Sequence, residues 1–250
     1  MFSVFFFLIA IVFGVFTAKI ADSKGYSKIG FFIYGMMSPI ISIIHSSILP
    51  DRTSGEKGQY TDKALRYNIL SVLAFCYSIV GIILSMALTY CKFSYIIITY
   101  ALFVLMLVSI LLGRKYKFSI IVYAACAIRA LVGLIDVLGM KNEFGSDYSN
   151  YIDYSIKTSI FSILYYLIFI YIAYTYGIKG KKNRIGTFNA LFILPAILKF
   201  AELIITMHSI FTMGKESFVN PGNLFELIFS FVAFIFLGLF YLEDSRCIPE

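Results

Sequence analysis

Long apolar runs dominate this chain of 250 residues and limit what it can fold into. A helix needs about 20 apolar residues to cross roughly 30 Å of hydrocarbon. Runs such as Ile69–Met86 show no alternation of polar and apolar residues, so they predict spanning helices and exclude a β-barrel. Eight runs are candidate spans: Phe2–Ala18, Ile29–Leu49, Ile69–Tyr90, Phe93–Leu112, Phe118–Leu138, Ser159–Ile178, Gly186–Met213 and Leu224–Leu242.

Composition supports the same fold class. Hydrophobic residues make up 60% of the chain and charged residues 14%, whereas soluble domains have about 45–50% and about 25%. A soluble protein of this size has too little polar surface to cover so much apolar area. We therefore expect an all-α polytopic membrane protein of about eight transmembrane helices in a single domain, 1–250. Within it, we expect a two-helix hairpin at 1–52 and a six-helix core at 63–243.

Lysine and arginine residues between the spans predict the orientation, because cytoplasmic loops carry more of them. With eight spans both termini lie on one side, which collects twelve of these residues against seven on the other side. This favours both termini in the cytoplasm. The first loop, Lys19–Lys28, disagrees with that placement. A re-entrant second span, or a first span that does not cross, would make the number of spans odd.

Two prolines lie inside predicted spans, Pro39 in the second and Pro195 in the seventh. Proline removes one helical hydrogen bond and clashes with the preceding turn. We expect each proline to kink its helix and to leave a carbonyl group for a neighbouring helix to satisfy.

Motifs for metal binding or catalysis are absent from the sequence. It contains no HExxH, GxSxG, glycine-rich phosphate loop or paired-carboxylate pattern. Its four cysteines form no CxxC pair, and its two histidines fall on opposite predicted sides of the membrane. An enzyme therefore has no positive support, and we expect neither a metal nor a cofactor. The basic residues are spread over loops, so the expected partner is the lipid bilayer and not nucleic acid.

Small residues at helical spacing predict two packing faces, because helices in lipid associate through close approach of small side chains. In the third span they recur at intervals of 3, 4, 3 and 4 residues, and in the second at 3 and 4. We favour helix packing over a solute path for both faces. The second span contributes Gly35, Ser38 and Ser42, and the third contributes Ser71, Ala74, Ser78, Gly81 and Ser85.

Five ionisable residues inside the predicted spans are the main functional signal. Arg129 and Asp136 lie in the fifth span, Lys199 and Glu202 in the seventh, and Glu226 near the start of the eighth. An unpaired charge costs about 2.5–3.5 kcal/mol at the membrane centre, so such residues normally face a bundle interior or a water-filled cavity. Arg129 and Asp136, seven residues apart, share a helix face, and Lys199 and Glu202, three apart, can pair directly. A crossed pair, Arg129–Glu202 or Lys199–Asp136, would tie the two spans together.

These charges support two functional hypotheses. In the first, they line a polar centre that binds or transports a small polar solute or ion between the fifth and seventh spans. In the second, they form a structural ion-pair network in a non-catalytic scaffold, sensor or subunit that contacts a membrane protein partner or a second copy. Glu226 taken alone fits an interfacial carboxylate that the helix dipole stabilises.

The first fifty residues contain a recognisable pattern. The segments at 20–27 (IADSKGYS), 35–39 (GMMSP) and 49–52 (LPDR) resemble a recurrent two-span hairpin of uncharacterised small bacterial membrane proteins. That hairpin reads roughly A-x-x-K-G-R-S, G-x-x-x-G-P and L-P, and here Tyr26 and Ser38 replace its usual arginine and second glycine. The resemblance covers about 35 of the 250 residues. It implies a packed hairpin and a bacterial origin, hence an inner membrane, but no activity.

Overall fold

The computed structural model describes residues 2–52, 61–87, 93–144, 149–180, 189–213 and 221–246. These residues are helical, and no strand occurs among them. The helices are α1 (Phe2–Ser23), α2 (Lys28–Met37), α3 (Pro39–Ile48), α4 (Asp62–Ala87), α5 (Phe93–Leu112), α6 (Tyr116–Phe144), α7 (Ser149–Ile172), α8 (Leu194–Met213) and α9 (Pro221–Arg246).

The expected all-helical, membrane-type fold is confirmed, but not the count of eight spans. Among the described residues, five segments are long and apolar enough to cross a membrane. These five are Asp62–Ser85, Tyr116–Met140, Ser149–Ile178, Leu194–Phe211 and Gly222–Arg246. The chain also divides into two compact units, Met1–Leu65 and Arg66–Glu250, which we call the hairpin unit and the bundle unit.

In the hairpin unit, the expected second span, Ile29–Leu49, is not one helix. It forms two ten-residue helices, α2 and α3. Between them Ser38 leaves the helical conformation, with φ −142° and ψ 74°, and Pro39 starts α3. Proline explains the break, because it cannot donate the hydrogen bond that would continue α2. Each helix is about 15 Å long, half of the hydrocarbon thickness.

The two short helices fold back, so that the end of α3 returns to the loop before α2. The Lys24 Nζ atom donates to the Leu49 carbonyl at 2.7 Å, and the Tyr26 hydroxyl donates to the Pro50 carbonyl at 2.8 Å. In a continuous 20-residue helix these groups would lie about 30 Å apart. Burial raises the pKa of the Tyr26 hydroxyl, which keeps it protonated as a donor. The second apolar run therefore forms a folded-back pair of half-length helices and not the single helix that was expected.

Small residues allow α1 to approach this helix pair closely. A Cβ atom at Gly35 would lie 2.8 Å from both the Gly14 Cα and the Thr17 Oγ1 atoms. The Thr17 and Ser42 hydroxyls are 3.0 Å apart and hydrogen-bonded. Ser38, Ser42 and Thr17 are all buried. The small residues singled out in the second span thus lie in the interior of the hairpin unit.

In the bundle unit, α9 packs closely against α4 through the small residues of the third predicted span. Ser71 donates to the Ala233 carbonyl at 3.1 Å. A Cβ atom at Gly81 would lie 2.5 Å from the Glu226 backbone nitrogen, and Ser85 bonds to Asn223. Ala74 and Ser78 are buried on the same helix. The α4 face is therefore directed at α9, a partner that spacing alone did not identify.

Two other boundaries differ from the sequence expectation. Pro195 does not kink a helix, because α8 starts only at Leu194 and proline is tolerated in a first turn. The stretch between the fifth and sixth predicted spans, 139–158, is helical where it is described, since α6 continues to Phe144 and α7 starts at Ser149. At its other end, α7 continues as a π-helical turn, Ala173–Ile178.

Candidate functional site

Lys199 occupies the centre of a buried ionic cluster in the bundle unit. Its Nζ atom lies 3.1 Å from Glu202 Oε2 on the same helix and 3.6 Å from Glu226 Oε1 on α9. The side chains of Lys199, Glu202 and Glu226 are only 6%, 10% and 16% exposed. One ammonium group therefore serves two carboxylates, and the cluster carries a net negative charge when all three groups are ionised.

Local sequence and helix packing position these groups. Lys199 and Glu202 are three residues apart, which puts both on one face of α8. Glu226 reaches Lys199 from α9, whose backbone lies against Gly81 of α4 at this level. One turn further along α8, the Thr206 hydroxyl donates to the Glu202 carbonyl at 2.9 Å.

An aromatic wall from α7 borders the cluster. Lys199 Nζ lies 5.5 Å from the centroid of the Tyr165 ring, within the range of a cation–π contact. The Tyr165 hydroxyl donates to the Ser162 hydroxyl at 2.9 Å. The ring packs edge-on against Tyr166 and Phe234, at centroid distances of 4.6 and 5.1 Å. These contacts fix the orientation of the ring beside the lysine.

A cavity of about 410 Å³ adjoins this cluster. Its charged lining residues are Arg129, Lys199, Glu202 and Glu226, and its hydroxyl and amide lining comes from Ser85, Thr99, Thr158, Ser159, Ser162 and Asn223. Phe75, Ile82, Leu102, Phe103 and Met106 form an apolar side on α4 and α5.

The cavity lies in one half of the bundle unit. It is lined by Ser85 near the end of α4, by Thr99 near the start of α5 and by Asn223 near the start of α9. Arg114 and Lys115 follow the opposite end of α5, and Arg246 ends α9. We call the half that holds the cavity the open half, and the other the sealed half.

Four of the five ionisable residues expected in the membrane come together at this cavity. Asp136 is the exception, because it is exposed and does not line the cavity. The structure therefore does not form the Lys199–Asp136 pair, and Lys199 pairs within its own helix and with α9. Glu226 is part of an interhelical ion pair rather than an isolated interfacial carboxylate.

Sequence reasoning missed the polar residues that α7 contributes. Thr158, Ser162 and Tyr165 are spaced by four and three residues and therefore share one helix face. That spacing was a readable signal in an otherwise apolar helix. Asn223 was missed because a single amide near a helix start is common and has no distinctive spacing.

The sealed half contains a second ionic cluster that sequence reasoning also missed. Arg114 lies 2.6 Å from Asp244 through Nη2 and donates to it through Nε at 2.7 Å. The Tyr116 hydroxyl bonds to the other Asp244 oxygen. Deeper in, the Tyr123 and Tyr241 hydroxyls are 2.6 Å apart. These residues stand near the start of α6 and the end of α9, where the sequence suggested only loop charges.

Potential metal-ligating side chains do not cluster in the part of the chain that the structure describes. Among the described residues, no group of three His, Cys, Asp or Glu side chains is placed to hold a metal ion. His45 is buried in the hairpin unit, with Nδ1 at 3.1 Å from the Tyr34 hydroxyl, and His208 is exposed.

Comparison with known proteins adds no family. No family model, no curated protein and no solved structure matches the chain. Function is therefore inferred from the cavity and its charges.

Proposed function

We propose that the protein binds a small polar solute or ion in the charged cavity of the bundle unit and carries it across a membrane. The observation behind this proposal is the set of four charged side chains around about 410 Å³ of space. Ligand sites typically enclose about 300–1,000 Å³. Ionisable residues at membrane depth usually mark solute or ion pathways.

The orientation of the chain is part of this proposal. Because α2 and α3 fold back, we count α1 and α5 together with the five segments above as seven crossings, with the N terminus outside and the C terminus in the cytoplasm. On this count one side collects fifteen lysines and arginines and the other only four, and the discrepancy of the Lys19–Lys28 loop disappears. The fifteen are Lys19, Lys24, Lys28, Arg52, Lys57, Lys63, Arg66, Arg114, Lys115, Lys117, Lys179, Lys181, Lys182, Arg184 and Arg246. The cavity then lies in the external half.

Two single-cysteine proteins test this orientation. Native Cys247 reports on the C terminus, and Ser23→Cys reports on the loop before α2. Seven crossings place both on the cytoplasmic side, so an impermeant thiol reagent labels them only after the cells are permeabilised. A crossing second span places them on opposite sides, and labelling of Ser23→Cys alone in intact cells would contradict our orientation.

Water access tests the cavity itself. Native Cys126 lines the cavity, so a protein in which Cys76, Cys91 and Cys247 are replaced by serine keeps a single reporter. We expect an impermeant thiol reagent added to intact cells to label Cys126, and also Ser162→Cys in a cysteine-free background. Ile128→Cys is the matched control, because Ile128 is 61% exposed on the outer surface of α6 and should be covered by lipid.

The competing function is a membrane scaffold or partner subunit with a structural ionic lock. It is favoured by one observation, the pairing of Lys199 with carboxylates from two helices. A lock would keep the cavity dry, so neither Cys126 nor Ser162→Cys would react in a folded protein. Loss of one charge would then strand the others and unfold the protein.

A further inference from the structure

We propose that the solute is a small zwitterion with an apolar side chain, of the free amino acid class. This inference rests on the proposed function, because it names the ligand of the same cavity. It is carried by the distribution of charge and apolar surface over the cavity walls.

The charges fall into two groups of opposite net sign. The cluster on α8 and α9 holds two carboxylates and one ammonium group. Arg129 on α6 contributes a guanidinium group to the same lining. Its Nη1 atom lies 3.5 Å from the position that a Cβ at Gly133 would occupy, one turn further along α6. The charges of the four charged lining residues that the structure describes sum to zero, but the net negative cluster lies on α8 and α9 whereas Arg129 lies on α6.

This distribution selects among ligand classes. A solute with only a positive charge could bind to the α8–α9 cluster, but it would add a net positive charge to a buried site. A solute with only a negative charge could bind to Arg129, but it would add a net negative charge. A zwitterion adds no net charge. Its ammonium group can bind to Glu202 or Glu226, and its carboxylate can accept a two-pronged hydrogen bond from the Arg129 guanidinium.

The remaining wall supplies the apolar contact. Phe75 and Phe103 stack with a centroid distance of 5.6 Å and both line the cavity, together with Met106. They belong to α4 and α5, whereas the charged residues lie on α6, α8 and α9. A solute held by its charged groups can therefore direct a hydrocarbon side chain towards these rings.

The test uses three compounds that share one hydrocarbon skeleton. L-leucine carries both charges, 4-methylpentanoate only the carboxylate, and isoamylamine only the ammonium group. The full chain with Cys126 as its single cysteine is placed in nanodiscs of anionic phosphatidylglycerol, so that no zwitterionic lipid competes. Protection of Cys126 from the thiol reagent reports binding, and the thermal unfolding temperature reports it independently.

We expect leucine to protect Cys126 and to raise the unfolding temperature, and each single-charge compound to bind at least about tenfold more weakly, since each loses one charge-assisted contact. Arg129→Gln should remove the advantage of leucine over isoamylamine. Arg129→Lys keeps the positive charge and is the second variant to measure if Arg129→Gln does not fold. It should bind leucine more weakly than the parent, because lysine cannot form the two-pronged contact.

Failure of this inference and failure of the proposed function give different results in this experiment. If Cys126 reacts but is protected by none of leucine, phenylalanine and glycine betaine, the proposal of a zwitterionic solute is wrong. The proposal of a water-accessible cavity then still stands. Equal binding of leucine and a single-charge compound also overturns the inference. So does protection only by added phosphatidylethanolamine, which would assign the site to a lipid headgroup. If Cys126 does not react in a folded protein, both proposals fail.

Discussion

The open and sealed halves of the bundle unit use the same kinds of residue in different ways. Each half has an interhelical ion pair to α9 and buried tyrosines beside it. In the sealed half, Asp244 has one arginine and one tyrosine as close partners, and its side chain is 3% exposed. In the open half, Glu202 and Glu226 share a single ammonium group, at 3.1 and 3.6 Å.

This difference separates a structural charge from a functional one. A buried ion pair tolerates burial only when hydrogen bonds occupy its remaining polar atoms. The sealed half meets that condition and fills its centre with Tyr123, Phe169 and Tyr241, all buried. The open half has space beside its charges and fewer cations than carboxylates on α8 and α9. We therefore expect substitutions in the sealed half to affect stability, and substitutions in the open half to affect binding.

The largest effect on stability is expected for Asp244→Asn. The substitution leaves Arg114 without its ionised partner and weakens the Tyr116 contact, which should cost about 3 kcal/mol. The free energy of unfolding tests this prediction. It is measured in detergent, with unfolding caused by heat or by a denaturing surfactant. Asp22→Asn is the control, because its pair with Lys28 at 3.0 Å is exposed to solvent and worth under about 1 kcal/mol. Equal stability of the two variants would contradict the structural role of Asp244.

Alanine substitutions at two glycines compare helix packing in the sealed half with helix packing in the open half. A Cβ at Gly238 would meet the Phe192 carbonyl oxygen, and a Cβ at Gly81 would lie 2.5 Å from the Glu226 nitrogen. Alanine at either position should cost about 1–3 kcal/mol through overpacking. Only Gly81→Ala should also weaken solute protection of Cys126, because it displaces the helix that carries Glu226. Gly139→Ala is the control, since nothing lies within 4 Å of its Cβ, and its stability should not fall.

Glu202→Gln should affect solute binding more than stability, whereas Asp244→Asn should mainly affect stability. Glutamine keeps the shape of the side chain and water in the cavity can solvate Lys199, so we expect a loss of stability under about 1 kcal/mol. Solute binding should fall at least about tenfold, because the carboxylate partner of the ammonium group is lost. Asp136→Asn is the control, an exposed carboxylate that does not line the cavity, and its binding should not change. Strong unfolding of Glu202→Gln would instead support a dry lock.

The sequence predicted the parts of the site that depend on local geometry. The pairing of Lys199 with Glu202 follows from their i,i+3 spacing. The link to Glu226 does not, because it depends on how α9 approaches α4 and α8, and helical spacing says nothing about contacts between helices. The same limit hid Arg114–Asp244, whose members are 130 residues apart.

The hairpin unit shows a similar limit for the fold. Pro39 correctly indicated an interruption of the second apolar run. Hydropathy records the length of such a run but not its direction, so it cannot separate one crossing from two half-crossings. The direction is visible only in tertiary contacts such as Lys24 with the Leu49 carbonyl. The excess of basic residues in the first loop was the one sequence signal that pointed to it.

Tyr123→Phe in the sealed half is expected to lower stability slightly and to leave solute binding unchanged. The substitution removes the hydroxyl that lies 2.6 Å from the Tyr241 hydroxyl but keeps the ring that stacks on Phe169 at 5.3 Å. A neutral hydrogen bond contributes about 0.5–1.5 kcal/mol, so stability should fall by about that amount. Binding should be unchanged, because Tyr123 does not line the cavity. Tyr165→Phe is the counterpart in the open half, where the lost hydroxyl contacts Ser162 of the lining, and there a change in binding is expected. If Tyr123→Phe altered binding as much as Tyr165→Phe, the two halves would be energetically coupled, and the sealed half would have to move during transport.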